Sequence, residues 1–239
     1  AVVDVFRLKY EYHNAKVLVK AAGKTSELIS GSGRTEPEEL KRAYETGEST
    51  EISPVLLEAM NEAKVTLART GNPQLADFIL DKAYFAELRA LADSIGDSFI
   101  TEYVKVLIDS ANIRIAVRTM AIKGDHTKLA SALIPGGDID VSAVEAAMES
   151  RDALHQTYGC TIFAKAVEAK DMTAFELMAD NAVNDFLADS ERIAFGPSAV
   201  VGYLAAVENE IMAIRIILTG KKMGIDPDKL RERLRDCYV

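Results

Sequence analysis

Three times along the chain an acid is followed at fixed offsets by a small or amide residue, an apolar residue and a cation. The copies are Glu11-Tyr12-His13-Asn14-Ala15-Lys16, Asp109-Ser110-Ala111-Asn112-Ile113-Arg114 and Glu210-Ile211-Met212-Ala213-Ile214-Arg215, at intervals of 98 and 101 residues. The third has alanine where the others have asparagine. Each copy precedes a glycine turn, at Gly23, Gly124 and Gly220. Each turn leads to a helix start: Glu36-Pro37-Glu38-Glu39, Asp140-Val141-Ser142-Ala143 and Asp226-Pro227-Asp228. An acidic cap suits the orphaned N–H groups of a first turn, and proline there lacks the N–H that would go unpaired. At an offset of 99, Ser53–Lys82 lies over Asp152–Asn181, with Asp81 over Asp180 and Asn72-Pro73 over Asp171-Met172. A period of about 100 residues marks a repeat architecture.

The helical pattern fills the repeat. In Phe99–Ile122, 15 of 24 residues are apolar, and in Ala199–Thr219, 15 of 21, spread around most of the circumference. Both are therefore expected to be buried core helices. Amphipathic helices are predicted over Pro54–Arg69, Pro73–Ile95, Val141–Ala169 and Thr173–Ile193. No alternating run of strand length is present, so the fold class is all-α. Counting the first unit as incomplete, the lobes divide at 1–52, 53–150 and 151–239. The acid and cation of each copy are five residues apart, about 140° around a helix, so each seeks a partner on another element. The expected role of Glu11, Asn14, Lys16, Asp109, Asn112, Arg114, Glu210 and Arg215 is to lock helix packing within each lobe; the alternative is a shared surface for a partner.

Candidate chemistry is thin. Gly23-Lys24-Thr25 resembles the end of a phosphate-binding loop, but Leu18 stands where that loop needs glycine, and the segment follows a helix. Gly23 reads instead as a helix C-cap. Gly31-Ser32-Gly33-Arg34 reads as a flexible link, and Lys221-Lys222 as cations facing a helix C-terminus. A di-iron site needs paired Glu-x-x-His motifs on two helices. His13, His126 and His155 provide only Asp152-Ala-Leu-His155. Cys160 sits in an apolar pattern and is expected to be a packed thiol. Neither a cofactor nor a metal is expected.

Composition narrows the class. Two cysteines, Cys160 and Cys237, do not make a disulfide framework. A net charge of −9 argues against nucleic acid. The most apolar run, Ile211–Leu218, is broken by Arg215 and is far short of the ~20 residues of a membrane span. The chain opens at Ala1 without a basic leader, and a signal peptide is not expected. A start without methionine inside a helical pattern suggests a missing leading segment.

The run Gly202–Lys221, with Gly202-Tyr203-Leu204, Glu208-Asn209-Glu210 and Ile214-Arg215-Ile216-Ile217-Leu218-Thr219-Gly220-Lys221, resembles the signature of the C subunit of V-type ATP synthases. Leu8-Lys9-Tyr10-Glu11-Tyr12-His13-Asn14-Ala15-Lys16, Leu80-Asp81-Lys82-Ala83-Tyr84-Phe85, Asp109–Arg114 and Leu230–Val239 are similar to that family in the same order. The resemblance implies three helical lobes about an approximate threefold axis. It also implies a non-catalytic subunit between central shaft and membrane rotor ring, held at the cytoplasmic face through the complex. Family members are usually longer, with further helices ahead of the first motif. A generic helical-repeat scaffold would share the fold without this C-terminal signature.

Overall fold

The computed structural model describes residues 1–23, 28–121, 130–193 and 195–236. Lys24, Thr25, Gly124, His126, Cys237, Tyr238 and Val239 lie outside the described residues. Among the described residues there are helices and turns and no strand. The chain forms two compact units, Ala1–Gly96 and Asp97–Val239. The first holds one copy of the motif and the second holds two.

Unit one comprises α1 (Asp4–Lys20), α2 (Pro37–Thr46), α3 (Pro54–Thr70) and α4 (Pro73–Ile95). The starts follow the sequence signals. Ser53 Oγ accepts from the Leu56 N–H ahead of Pro54, and Asn72 Oδ1 accepts from the Gln74 N–H ahead of Pro73. The motif helix α1 packs on α2, α3 and α4. Its buried Leu8, Tyr12, Ala15 and Leu18 join Leu40, Leu56, Met60, Leu80 and Leu88 in one core.

Unit two opens on its own motif helix, α5 (Ser98–Ala121). There follow α6 (Val141–Ala147), α7 (Arg151–Tyr158), α8 (Ala164–Val167), α9 (Met172–Ala188), a 3₁₀ turn at Asp189–Arg192, α10 (Pro197–Lys222) and α11 (Pro227–Arg231). The core joins Ile113 and Ala116 of α5 to Val144, Leu154, Tyr158, Phe163, Phe175 and Ala179. Asp97 Oδ1 caps α5 by accepting from the Ile100 N–H, and both its oxygens accept from Ser198 Oγ at 2.9 Å, tying the start of α10 to the start of α5.

Four expectations are corrected. The single helix expected over Val141–Ala169 is three short ones. Ser150 accepts from the Ala153 N–H to start α7, and Gly159 follows it with no room for a side chain, an added Cβ falling 2.5 Å from the His155 carbonyl oxygen. Cys160, in the turn after α7, is exposed rather than packed. Gly33 is buried, with its carbonyl accepting from the Arg7 guanidinium, so this stretch is anchored rather than a free link. Helix α10 is not buried all round: Tyr203, Ile211, Met212, Ile214 and Leu218 are exposed. Apolar composition equips a helix for burial but does not supply the neighbours that cover it.

Candidate functional site

The asparagines of the first two copies make the same pair of bonds. Asn14 Nδ2 donates to the Ser30 carbonyl at 2.7 Å, and the Ser30 N–H returns a bond to Asn14 Oδ1 at 2.8 Å. Asn112 does the same to Ile134, at 2.8 and 2.9 Å. A side-chain amide matches one backbone N–H and one C=O at once, so each asparagine fixes the chain that returns across its helix.

The cations reach the last long helix of the first unit, and its counterpart in the second. Lys16 Nζ meets Asp81 at 2.5 Å, and Lys20 meets Asp77 at 2.8 Å. In the second unit Arg114 Nη2 meets Asp180 at 2.5 Å and its Nε meets Glu176 at 2.7 Å, while Arg118 meets Glu176 at 2.8 Å. Asp77/Asp81 and Glu176/Asp180 are the same two positions shifted by 99. The two arginines hold the Glu176 carboxyl below its usual range, against the upward push of its burial. Arg235 also pairs with Asp180, at 2.7 Å, so the C-terminal tail docks on α9. The neighbouring Asp236 N–H donates to Asn181 Oδ1 at 3.1 Å.

The acids occupy equivalent places with different partners. Glu11 is 1% exposed and accepts from Arg34 Nε at 2.6 Å and Thr35 Oγ1 at 2.5 Å. Arg34 Nη2 continues to Glu87 at 2.5 Å. Glu87 also accepts from Tyr12 and Ser53, each at 2.9 Å. Burial and the Glu87 carboxylate push the Tyr12 phenol far above its ordinary range. Asp109 instead accepts from the backbone N–H groups of Asp138 at 3.0 Å and Ile139 at 3.3 Å. Gly137 permits this approach, since an added Cβ would sit 2.0 Å from Asp109 Oδ1. Burial pushes the Asp109 carboxyl up to about 6, with the two N–H bonds pulling the other way. It lies near Tyr158, whose buried hydroxyl has no hydrogen-bond partner among the described residues.

The third copy does not close. Glu210 and Arg215 are exposed, and neither has a hydrogen bond or ion pair among the described residues. Ala213 cannot make the amide clamp. Here Leu230 packs on Gly220 instead, so closely that a Cβ on the glycine would fall 2.1 Å from it. Arg34 and Glu87, central to the first clamp, belong to no repeated pattern; only the position of Arg34 after Gly31-Ser32-Gly33 flagged it.

These polar groups are consumed in holding helices together. Among the described residues no group of three or more His, Cys, Asp or Glu could hold a metal ion, and no helix is long and apolar enough to cross a membrane. His13 faces the Leu28 carbonyl at 2.9 Å. Leu18 is fully buried inside α1, which leaves no glycine loop ahead of Gly23.

Comparison with known proteins gives a family. The model described as ATP synthase (C/AC39) subunit matches residues 1–233. The chain is similar to the C subunit of the V-type sodium ATPase of Enterococcus hirae, 26% identical over 247 residues, covering 99% of this chain and 75% of that protein. It is 22% identical over 258 residues to the C subunit of the A-type ATP synthase of Methanocaldococcus jannaschii, covering 98% of this chain and 65% of the relative. It is 28% identical over 145 residues to the corresponding A-type ATP synthase protein of Pyrococcus furiosus, covering 56% and 39%. The chain spans between about two thirds and three quarters of the length of the first two.

Proposed function

The chain belongs to the ATP synthase (C/AC39) subunit family, and from that premise we propose that it is a non-catalytic central-stalk component of a V- or A-type rotary ATPase. It seats the foot of the central shaft and couples it to the membrane rotor ring, at the cytoplasmic face and without a span of its own. The observation that carries this reading is the family match along residues 1–233, which runs through all three copies of the motif. The clamps support it: bonds that tie the first two motif helices to α4 and α9 stiffen a body that must pass torque without chemistry.

The socket is formed by three lobes, 1–52, 53–150 and 151–239, each with one motif copy, about an approximate threefold axis. The shaft foot meets the openings between lobes, where shape and many modest contacts suffice. A net charge of −9 favours a shaft tip rich in Lys and Arg, chiefly by speeding encounter.

The test is co-purification of the chain with separately expressed shaft proteins and with detergent-solubilised rotor ring. A complex with both is expected, while ATP titrated into the chain alone gives no stoichiometric binding heat. A chain that binds neither shaft nor ring, or that hydrolyses ATP unaided, overturns the reading.

A further inference from the structure

Helix α10 carries a second periodicity, separate from the 100-residue repeat. Val200, Leu204, Val207, Ile211, Ile214 and Leu218 follow one another at steps of four, three, four, three and four residues. That is the alternation of a and d positions in a heptad, which keeps one apolar seam along a helix. None of the six is buried: Ile211 is 50%, Ile214 49% and Leu218 63% exposed, Val200 is exposed, and Leu204 and Val207 are half-buried. The packed side of α10 is the other one, where Ser198, Gly202, Ala205 and Gly220 are buried. The helix that bears the seam is already formed, so a neighbour laid along it does not have to order it.

The charges beside the seam select its occupant. With Ile211 as a, Glu210 is a g position and Arg215 the e position that follows. In two parallel helices in register, each g lies beside the e five residues on in the other helix, and opposite charges there set partner and orientation. Glu210 and Arg215 are exposed, and neither has a hydrogen bond or ion pair among the described residues. The interval of five that keeps this acid and cation apart within one helix lets them meet between two. We infer that the chain forms a two-fold dimer through α10, its two helices parallel and in register, with Ile211 and Ile214 stacked on their own counterparts and Glu210 of each copy paired with Arg215 of the other. A foreign helix would have to supply both charges at this spacing, whereas a second copy has them already. An antiparallel copy would set Arg215 against Glu208 but leave Glu210 against Ile217, so only the parallel pair satisfies both exposed charges. Larger assemblies bury the e and g positions, which charges at Glu210 and Arg215 oppose. The association belongs to the chain by itself and does not rest on the stalk role.

Sedimentation equilibrium of the intact chain over a concentration series tests this, and a monomer–dimer equilibrium is the expected result. Ile214→Asp places two carboxylates in the seam and weakens the dimer by about tenfold or more. Glu210→Arg and Arg215→Glu each set like charges side by side and weaken it by about tenfold, while the two together in one chain restore it. These residues are exposed, so the variants keep the fold, which circular dichroism checks. Val207→Cys, in a background of Cys160→Ser and Cys237→Ser, forms a disulfide between copies, because position 207 meets itself across a parallel seam. In an antiparallel pair the two sulfurs would be about 16 Å apart along the axis. A chain that stays monomeric, a larger oligomer, a dimer indifferent to both charge reversals, or one that Val207→Cys does not link each overturns the inference. So does a monomer that binds a shaft protein until Ile214→Asp abolishes the contact, since the seam then has another occupant.

Discussion

Arg34→Ala tests the first clamp at its most exposed weakness. Arg34 lies between Glu11, 1% exposed at the side chain, and Glu87, 12% exposed, and is itself 24% exposed. Truncation leaves two acids in a site from which water is largely excluded. Breaking a buried pair by removing one partner costs about 3–5 kcal/mol. Glu11 keeps its bond from Thr35, and Glu87 keeps those from Tyr12 and Ser53, which places the expected loss near the lower end, about 3 kcal/mol. For a chain of this length that is a fall in Tm of about 6–12 °C. Urea titration followed by circular dichroism measures it. Glu11→Gln in the Arg34→Ala background should recover about 1–2 kcal/mol, because an amide tolerates the site without a cation. A loss below about 1 kcal/mol, or a double variant no better than Arg34→Ala, would refute the claim that Glu11 depends on Arg34.

Asp109 gives a pH signature. Its carboxyl is raised from 3.8 to about 6 in the folded chain, so its stabilising contribution is complete below 3.8 and is lost as pH rises through 6. Asp109→Asn cannot ionise, and its disadvantage relative to the parent should shrink by about 2 kcal/mol between pH 4 and pH 7, read from urea midpoints. Gly137→Ala drives a methyl into the same carboxylate and should cost about 1–3 kcal/mol by thermal melting. Asn112→Ala leaves the Ile134 N–H and C=O unpaired in the core, at about 2–4 kcal/mol by the same measurement. Arg215→Ala, by contrast, removes an exposed cation with no partner among the described residues and should stay within about 0.5 kcal/mol of the parent.

The periodicity carried much of this structure. The three motif copies land at matching positions of three long helices, and the 99-residue offset that aligned Asp81 with Asp180 picked the two residues that receive Lys16 and Arg114. Helix starts at Ser53-Pro54, Asn72-Pro73, Asp140 and Asp226 were legible because a cap and a proline act locally. Long-range partners were not. Arg34 joins Glu11 and Glu87 across sequence separations of 23 and 53, for which no local rule exists. The exposure of α10 was hidden for a related reason: its composition matches that of α5, and only the neighbours differ. The breaks at Ser150 and Gly159 were visible as residues but were outweighed by a continuous apolar rhythm.

The amide clamp also sets what length can vary. Asn14 and Ser30 are 16 residues apart, and Asn112 and Ile134 are 22, yet both pairs make the same two bonds. By the logarithmic cost of closing a loop, the six extra residues weigh only about 0.3 kcal/mol in entropy. The bond pattern therefore fixes where the returning chain must land and leaves the path to it almost free. Material added beyond the end of the motif helix and before the landing point is absorbed at little loss, whereas a single residue inserted within the helix, between Asn112 and Arg114, would rotate one away from its partner by about 100°. Duplicated units built this way diverge in their connections while their joints stay in step.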